Sequence, residues 1–432
     1  MATSRTIGLL AACAASAVVL AACDKASPSA PASSHQAPAP AVAAADIPPL
    51  VPVATAAPQG VTPAWLESPL EPLASPPKLV QGKFNSARAC GACHQAIFDR
   101  WSKSMHANSF VDPVFRSALY KAHYESQGAA AAICLRCHSP TVTVSKDFYG
   151  TGDVSREGVT CDFCHTVGAL TESASGVQYT LDWTQKHGPY QKTSSPAHAV
   201  GYRPFFETSE FCGGCHDMST ADGTVVFSTY SEWKASKYAK EGRQCHDCHM
   251  PRLSGPTVKE GKDTTGHDVF NDHRLFGGHE PTQVKRAVTI KVESLTRDAE
   301  RVQAVISVEN SGAGHFVPTG IPSRKLVLTV TATQRGRSIF RREVVYQRVM
   351  QDDHDRTLTE DWEIKLLSKR VLRDNRIAPL ENRRETFVFD ASALDDVELS
   401  AQLAYVYDPG NSANYHMDVT IAETGQILGR GL

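Results

Sequence analysis

Ten of the twelve cysteines in this 432-residue chain fall into five pairs, each with two residues between its members: Cys90/Cys93, Cys134/Cys137, Cys161/Cys164, Cys212/Cys215 and Cys245/Cys248. The residue after every pair is a histidine: His94, His138, His165, His216 and His249. Paired cysteines serve three chemistries. Zinc ribbons use C-x-x-C pairs but have no need of a histidine directly after each one. Disulfides suit an exported protein and do not require the histidines either. The C-x-x-C-H run is the attachment signature of c-type haem, in which both thiols bond the porphyrin and the histidine becomes the proximal iron ligand. With 17 histidines in the chain, five such followers by accident would have odds of roughly one in ten million. The reading is five covalently bound c-type haems. In the fifth motif, "GRQCHDCHMP", His246 lies between the two thioether cysteines and is read as a spacer, and Met250 is set aside as a ligand.

Five irons have room for five more ligands. Beyond the five motif histidines, His246 and His35, ten histidines remain. His106 follows the first motif by one short helix, and His187 and His198 precede the fourth. His273 lies where the two halves of the chain meet. His315 sits in "NSGAGHFVPTG", where Gly312 and Gly314 let the backbone approach a neighbour closely. These five are the candidate distal ligands, with His279 as a substitute for His273. His123, His267, His354 and His416 are read as ordinary histidines. Two imidazoles on every iron would favour low-spin electron-transfer centres without a vacant position.

The elements that must position these groups differ between the two halves. All five motifs lie between Cys90 and His249, about 32 residues for each haem, which is too little polypeptide for an ordinary apolar core as well. The porphyrins are expected to be the core, wrapped by short helices and loops. Ile97, Trp101 and Met105 fall on one helical face, and Tyr230, Trp233 and Tyr238 lie near one face before the fifth motif. From about residue 285 the apolar period becomes 2, as in Val302, Ala304, Ile306 and Val308 and in Leu326, Leu328, Val330 and Ala332. "QRGRS" turns a hairpin at Gly336. The expected fold class is α+β: a mostly helical and loop pentahaem domain over 81–284, then an antiparallel, immunoglobulin-like β-sandwich over 285–432 that acts as scaffold or docking face.

The N-terminus "MATSRTIGLLAACAASAVVLAACDK" is an export signal over 1–22, and "LAAC" resembles a bacterial lipobox that would leave a lipidated Cys23. Residues 23–80 read as an Ala/Pro/Ser-rich tether with an end-to-end distance of about 40 Å. The expected location is therefore outside the cytoplasmic membrane, anchored by lipid and facing the periplasm or the cell surface. Formal net charge is −2, which offers no case for nucleic acid.

"CGACHQAIFDRWSKSMHANSF", "SEFCGGCHD", "TYSEWKASKYAKEGRQCHDCHMP" and "GAGHFVPTG" resemble the multihaem c-type cytochromes of the cytochrome c-552/4 type, over roughly residues 85 to 320. The tetrahaem electron acceptor of hydroxylamine oxidoreductase is of this type. The resemblance implies closely stacked haem pairs, electron transfer, and His106, His198, His273 and His315 as distal ligands. Two departures stand out. The tetrahaem acceptor has one motif fewer, and the C-x-x-C-K motif of pentahaem nitrite reductases is absent here. Some relatives leave one iron five-coordinate and reduce small nitrogen or sulfur oxyanions. The expected function is a membrane-tethered pentahaem electron carrier between redox partners, such as other cytochromes or a quinol-linked donor. A reductase with one open haem, marked by a pocket that lacks a distal histidine but is lined by Arg, Lys or His, and a subunit of a multi-cytochrome conduit or filament are the alternatives.

Overall fold

The computed structural model describes residues 70–173, 176–259, 267–410 and 416–431, all within one compact unit. The expected export signal, Cys23 and the tether as far as residue 69 lie outside the described residues. Residues 70–80, expected as the end of that tether, lie against the first motif. The Leu73 amide donates to the Arg88 carbonyl at 3.0 Å, and Arg88 Nε donates to the Glu71 carbonyl at 2.8 Å.

The motif-bearing part is built from short helices because caps interrupt them early. Ser104 accepts from the Ala107 amide, Thr160 from that of Asp162 and Asp112 from those of Val114 and Phe115. Each cap satisfies amides that the first helical turn leaves without partners. The longest helix there, Pro113–Glu125, has 13 residues. The face expected from Ile97, Trp101 and Met105 is therefore not one helix. Gln95–Trp101 ends before Ser104, whose side chain caps a new four-residue helix, Met105–Asn108. Tyr230, Trp233 and Tyr238 span a similar break at Ser236, yet all three are buried in one cluster with Val177. Two other small clusters form around Phe98 and Trp101 and around Phe110 and Leu135. No single apolar core joins them. They surround one cavity of about 1530 Å³, larger than the roughly 300–1,000 Å³ of a site for one small ligand.

The period-2 half forms seven long strands: β1 (Thr289–Asp298), β2 (Arg301–Glu309), β3 (Arg324–Gln334), β4 (Arg337–Tyr346), β5 (Asn382–Asp390), β6 (Val397–Tyr407) and β7 (Met417–Leu428). They pair antiparallel as two sheets, β5-β2-β1 and β4-β3-β6-β7. This is the α+β architecture expected, with a three-on-four sandwich of immunoglobulin-like kind. Ala304, Ile306 and Val308 of β2 meet Leu326, Leu328 and Val330 of β3 in a core from which solvent is absent. The β3–β4 turn has both central residues left-handed, Arg335 at φ 50° and Gly336 at 72°, a geometry whose twist matches the strands it joins.

Between β4 and β5 the chain leaves the sandwich. A two-stranded pair, Arg348–Gln351 with Arg370–Asp374, frames the helix Asp361–Leu367. That helix packs on Pro113–Glu125, and its flank is tied there by Lys121 Nζ to Glu360 Oε2 at 2.6 Å. The strand periodicity of this half predicts no helix here. The helix's signals are an acidic first turn, Asp361 and Glu363, and Lys365 in the last. No helix among the described residues is long and apolar enough to cross a membrane.

Leu328 is fully buried between Val344 of β4 and Leu403 of β6. Leu328→Ala is expected to cost about 3 kcal/mol of stability, whereas Leu394→Ala, at a site 76% exposed, should change it by less than about 0.5 kcal/mol. Denaturant unfolding of the holoprotein followed by far-ultraviolet circular dichroism measures both.

Candidate functional site

Each motif occupies about one turn of helix: Ala87–Gly91 with the turn after it, Ala130–His138, Cys161–Thr166, Glu210–His216 and Cys245–His249. In a helical turn the residues at i, i+3 and i+4 share a face, so C-x-x-C-H presents two sulfurs and one imidazole in the same direction. None of the ten motif cysteines is in a disulfide. No group of three or more His, Cys, Asp or Glu side chains converges as a metal-ion site among the described residues, so the cysteine pairs are not gathered as zinc ligands. Instead all five motif histidines line the one cavity, together with His106, His187, His198, His273, His279 and His315.

The rings are oriented through Nδ1. His94 Nδ1 lies 2.7 Å from the Thr257 carbonyl, His138 Nδ1 3.3 Å from that of Ser109 and His165 Nδ1 2.6 Å from that of His187. His249 makes the same contact with Phe276. Candidate distal histidines do likewise: His198 with Ala199 at 3.1 Å, His273 with Asn271 at 2.7 Å and His315 with Phe316 at 2.9 Å. A carbonyl only accepts, so Nδ1 carries the hydrogen and Nε2 keeps its lone pair. This is the second-shell contact that fixes an imidazole for metal binding.

Three pairs of these rings face each other. Ring centroids are 6.5 Å apart for His94 and His198, 6.2 Å for His216 and His106, and 6.3 Å for His249 and His315. At a metal–nitrogen bond of about 2 Å, two imidazoles on opposite sides of one metal have centroids about 6 Å apart. The chain's histidines thus fit axial ligation of a haem iron. Desolvation lowers the pKa of His106, His198, His216, His249 and His315, which favours the neutral form that ligation requires. Burial holds His106 down to about 3, helped by the charges of His216 and His273, and holds His165 and His249 down to about 4.

The remaining two motif histidines differ. His165 stacks on Phe206 at 5.3 Å, and after burial its neighbouring influences are the His187 carbonyl, which opposes the shift, and the charge of His273. His273 stands on a turn built by fully buried Asp272, which accepts from Arg100 Nη1 and from the Arg274 amide, both at 2.9 Å. His138 stacks on Phe115 at 3.9 Å, and after burial the largest influence on it is the charge of Lys365. Among the described residues no histidine ring faces His138 at the spacing of the three pairs.

His187, expected as a distal ligand, is not in one of the three facing pairs: its carbonyl lies 2.6 Å from His165 Nδ1, and its own Nε2 lies 3.1 Å from Asp182 Oδ2. His279 is likewise engaged, with Nε2 3.1 Å from Arg324 Nη2, and Arg324 Nη1 donates to Tyr405 Oη at 2.8 Å. Gly312 and Gly314 do permit close approach, as expected. A Cβ on Gly312 would fall 1.8 Å from the Arg286 carbonyl oxygen, and one on Gly314 would lie 3.3 Å from Trp233 and Tyr238.

Cysteines of motifs distant in sequence are electrostatic neighbours: Cys90 of Cys161, Cys137 of Cys215 and Cys212 of Cys245. Tyr179 lies beside the third and fourth motifs, its hydroxyl donating to the Phe211 carbonyl at 2.8 Å and standing 3.8 Å from Cys215 Sγ. Neither Tyr179 nor Lys365 carried a motif that sequence reasoning could find.

The family model described as cytochrome c554 and c-prime matches residues 89–166, the first three motifs. A penta-heme cytochrome c552 from Thermochromatium tepidum is similar in fold, with a TM-score of 0.63 and 21% identity, over 80% of this chain and 99% of that one. The sporulation control protein Spo0M from Bacillus subtilis matches 34% of this chain and 50% of its own at 12% identity, but its TM-score of 0.14 carries no argument. The family match over the first three motifs and the likeness of fold to a penta-heme cytochrome both agree with the C-x-x-C-H chemistry of haem attachment.

Proposed function

We propose that the chain is a membrane-tethered pentahaem electron carrier, with Cys90–His94, Cys134–His138, Cys161–His165, Cys212–His216 and Cys245–His249 each holding one haem. The observation that carries this is the set of three facing histidine pairs at 6.2–6.5 Å. Bound haem supplies the one-electron chemistry, and the protein supplies ligands, spacing and environment. His198, His106 and His315 are assigned to the first, fourth and fifth motifs. His273 lines the same cavity near His94, His106 and His165, and it is assigned to the third because His94 and His106 already face other rings. The electrostatic neighbourhood of the cysteines supports an order in which the first motif lies near the third, and the second and fifth both lie near the fourth. Tyr179 spans the gap between the third and the fourth. The tether and a lipid at Cys23 are read from sequence and would keep the carrier on a membrane while redox partners dock.

A specific observation favours a second reading at one motif. Among the described residues no histidine ring faces His138, and Lys365 is its main charged neighbour. A vacant position beside a cation suits a small oxyanion, so the second motif is where reductase chemistry would sit.

Haem counted by pyridine haemochrome should be five per chain. Low-temperature electron paramagnetic resonance of the oxidised protein should show one high-spin haem among low-spin ones. A signal shifted by nitrite or hydroxylamine would favour the reductase, and five low-spin haems would remove that reading. His106→Ala and His198→Ala should each add one high-spin haem per chain at unchanged haem content. An unchanged spectrum would exclude the residue concerned as a ligand.

A further inference from the structure

His315 does not belong to the motif-bearing part of the chain. It lies on the loop between β2 and β3 of the sandwich, whereas its facing ring, His249, ends the fifth motif. The loop runs Ser311-Gly-Ala-Gly-His-Phe-Val-Pro-Thr-Gly320, with three glycines and few side chains to order it. Inside the sandwich it is secured by Asn310, whose Nδ2 donates to the His315 carbonyl at 2.9 Å, and by paired amide bonds between Val317 and Ile377. Those contacts fix the loop to its own strands. They do not fix its distance from the fifth motif.

Glu232 makes that connection. It stands on the helix Thr229–Ala235, in the segment that leads to Cys245, and is only 9% exposed. Its Oε2 accepts from the Phe316 amide at 3.2 Å and from Thr319 Oγ1 at 3.0 Å, on either side of the loop's tip. Its Oε1 pairs with Arg376 Nη2 at 2.8 Å. Arg376, 5% exposed, donates through Nη1 to the Pro318 carbonyl at 3.2 Å and lies over the Phe316 ring. Thr229 Oγ1 meets Thr319 Oγ1 at 2.8 Å, and Tyr238 Oη donates to the Ser311 carbonyl at 3.2 Å. A buried ion pair is weak evidence for stability, because desolvation offsets most of its attraction. Its use here is registry. A metal ligand must be held to within about 0.5 Å, and this carboxylate grips both residues that flank the Val317–Pro318 step after His315.

We propose that Glu232 is a positioning residue for the fifth haem, holding His315 opposite His249 across the junction, so that the sandwich sets the coordination of one iron. This rests on the assignment of His315 as the distal ligand. The test compares Glu232→Ala, Glu232→Gln and His315→Ala in the full-length holoprotein, using electron paramagnetic resonance and spectroelectrochemical titration. His315→Ala and Glu232→Ala should each gain one high-spin haem per chain, reversed by added imidazole. Glu232→Gln keeps an acceptor for Phe316 and Thr319 but removes the charge. It should retain the native spin states and move one midpoint potential upward, the others staying in place. If His315→Ala leaves the spectrum unchanged, the ligand assignment fails and the proposal with it. If His315→Ala gains the signal while Glu232→Ala keeps native spin states and potentials, only the role of Glu232 is overturned. Should Glu232→Ala fail to load haem, Thr319→Val removes the threonine's hydrogen bonds to Glu232 and Thr229 without stranding a charge. It should give a partial high-spin fraction at the same haem, and a native spectrum would overturn the proposal.

Discussion

The contact on which the arrangement depends is a backbone carbonyl receiving the Nδ1 hydrogen of an imidazole. It recurs at His94, His138, His165, His249, His198, His273 and His315. Each carbonyl fixes a tautomer, aims Nε2 into the cavity and removes the freedom of the ring to turn. The short helices follow from the same need. A motif needs only one helical turn to align its three groups, and the chain must then bend so that a carbonyl from elsewhere meets the ring. Caps such as Ser104, Thr160 and Gln244 end each turn and start the next. Long helices would bury more apolar surface against one another but would carry the motifs apart.

The sandwich is stabilised in the ordinary way, by interdigitated Val, Ile and Leu on two inner faces. Its connections to the motif half are both apolar and polar. Val114 and Val284 join the sandwich core, and Val226 packs with Met350, Leu358 and Ile364. Arg376 with Glu232 and Arg324 with His279 add buried or partly buried polar contacts. Apolar contact alone tolerates sliding, whereas hydrogen-bonded charges have a defined register. A part of the protein that presents His315 to a motif in the other half cannot slide. The excursion between β4 and β5 serves a related end, bringing Lys365 near His138 from a segment that the strand pattern alone would have assigned to a loop.

Much of this was legible in the residues. The five motifs are local: spacing, residue type and chemistry all lie within five positions. The strands were equally plain, since alternation over Val302–Val308 and Leu326–Ala332 has only one face to bury. His106, His198 and His315 were among the histidines singled out, and the structure sets each opposite a motif histidine. His187 was singled out on the same grounds. Its ring goes to Asp182 and its carbonyl to His165, a distinction no local pattern contains.

The sequence by itself therefore determined the chemistry of attachment and the class of fold, because both depend on neighbours within one helical turn or one strand. Which histidine faces which, that among the described residues none faces His138, and that Glu232 reaches the His315 loop were decided by tertiary structure alone. Those relations join residues 66 to 110 positions apart, and their physical basis is a distance of a few ångströms across a cavity or a junction. A linear pattern carries no record of such distances until the chain has closed on itself.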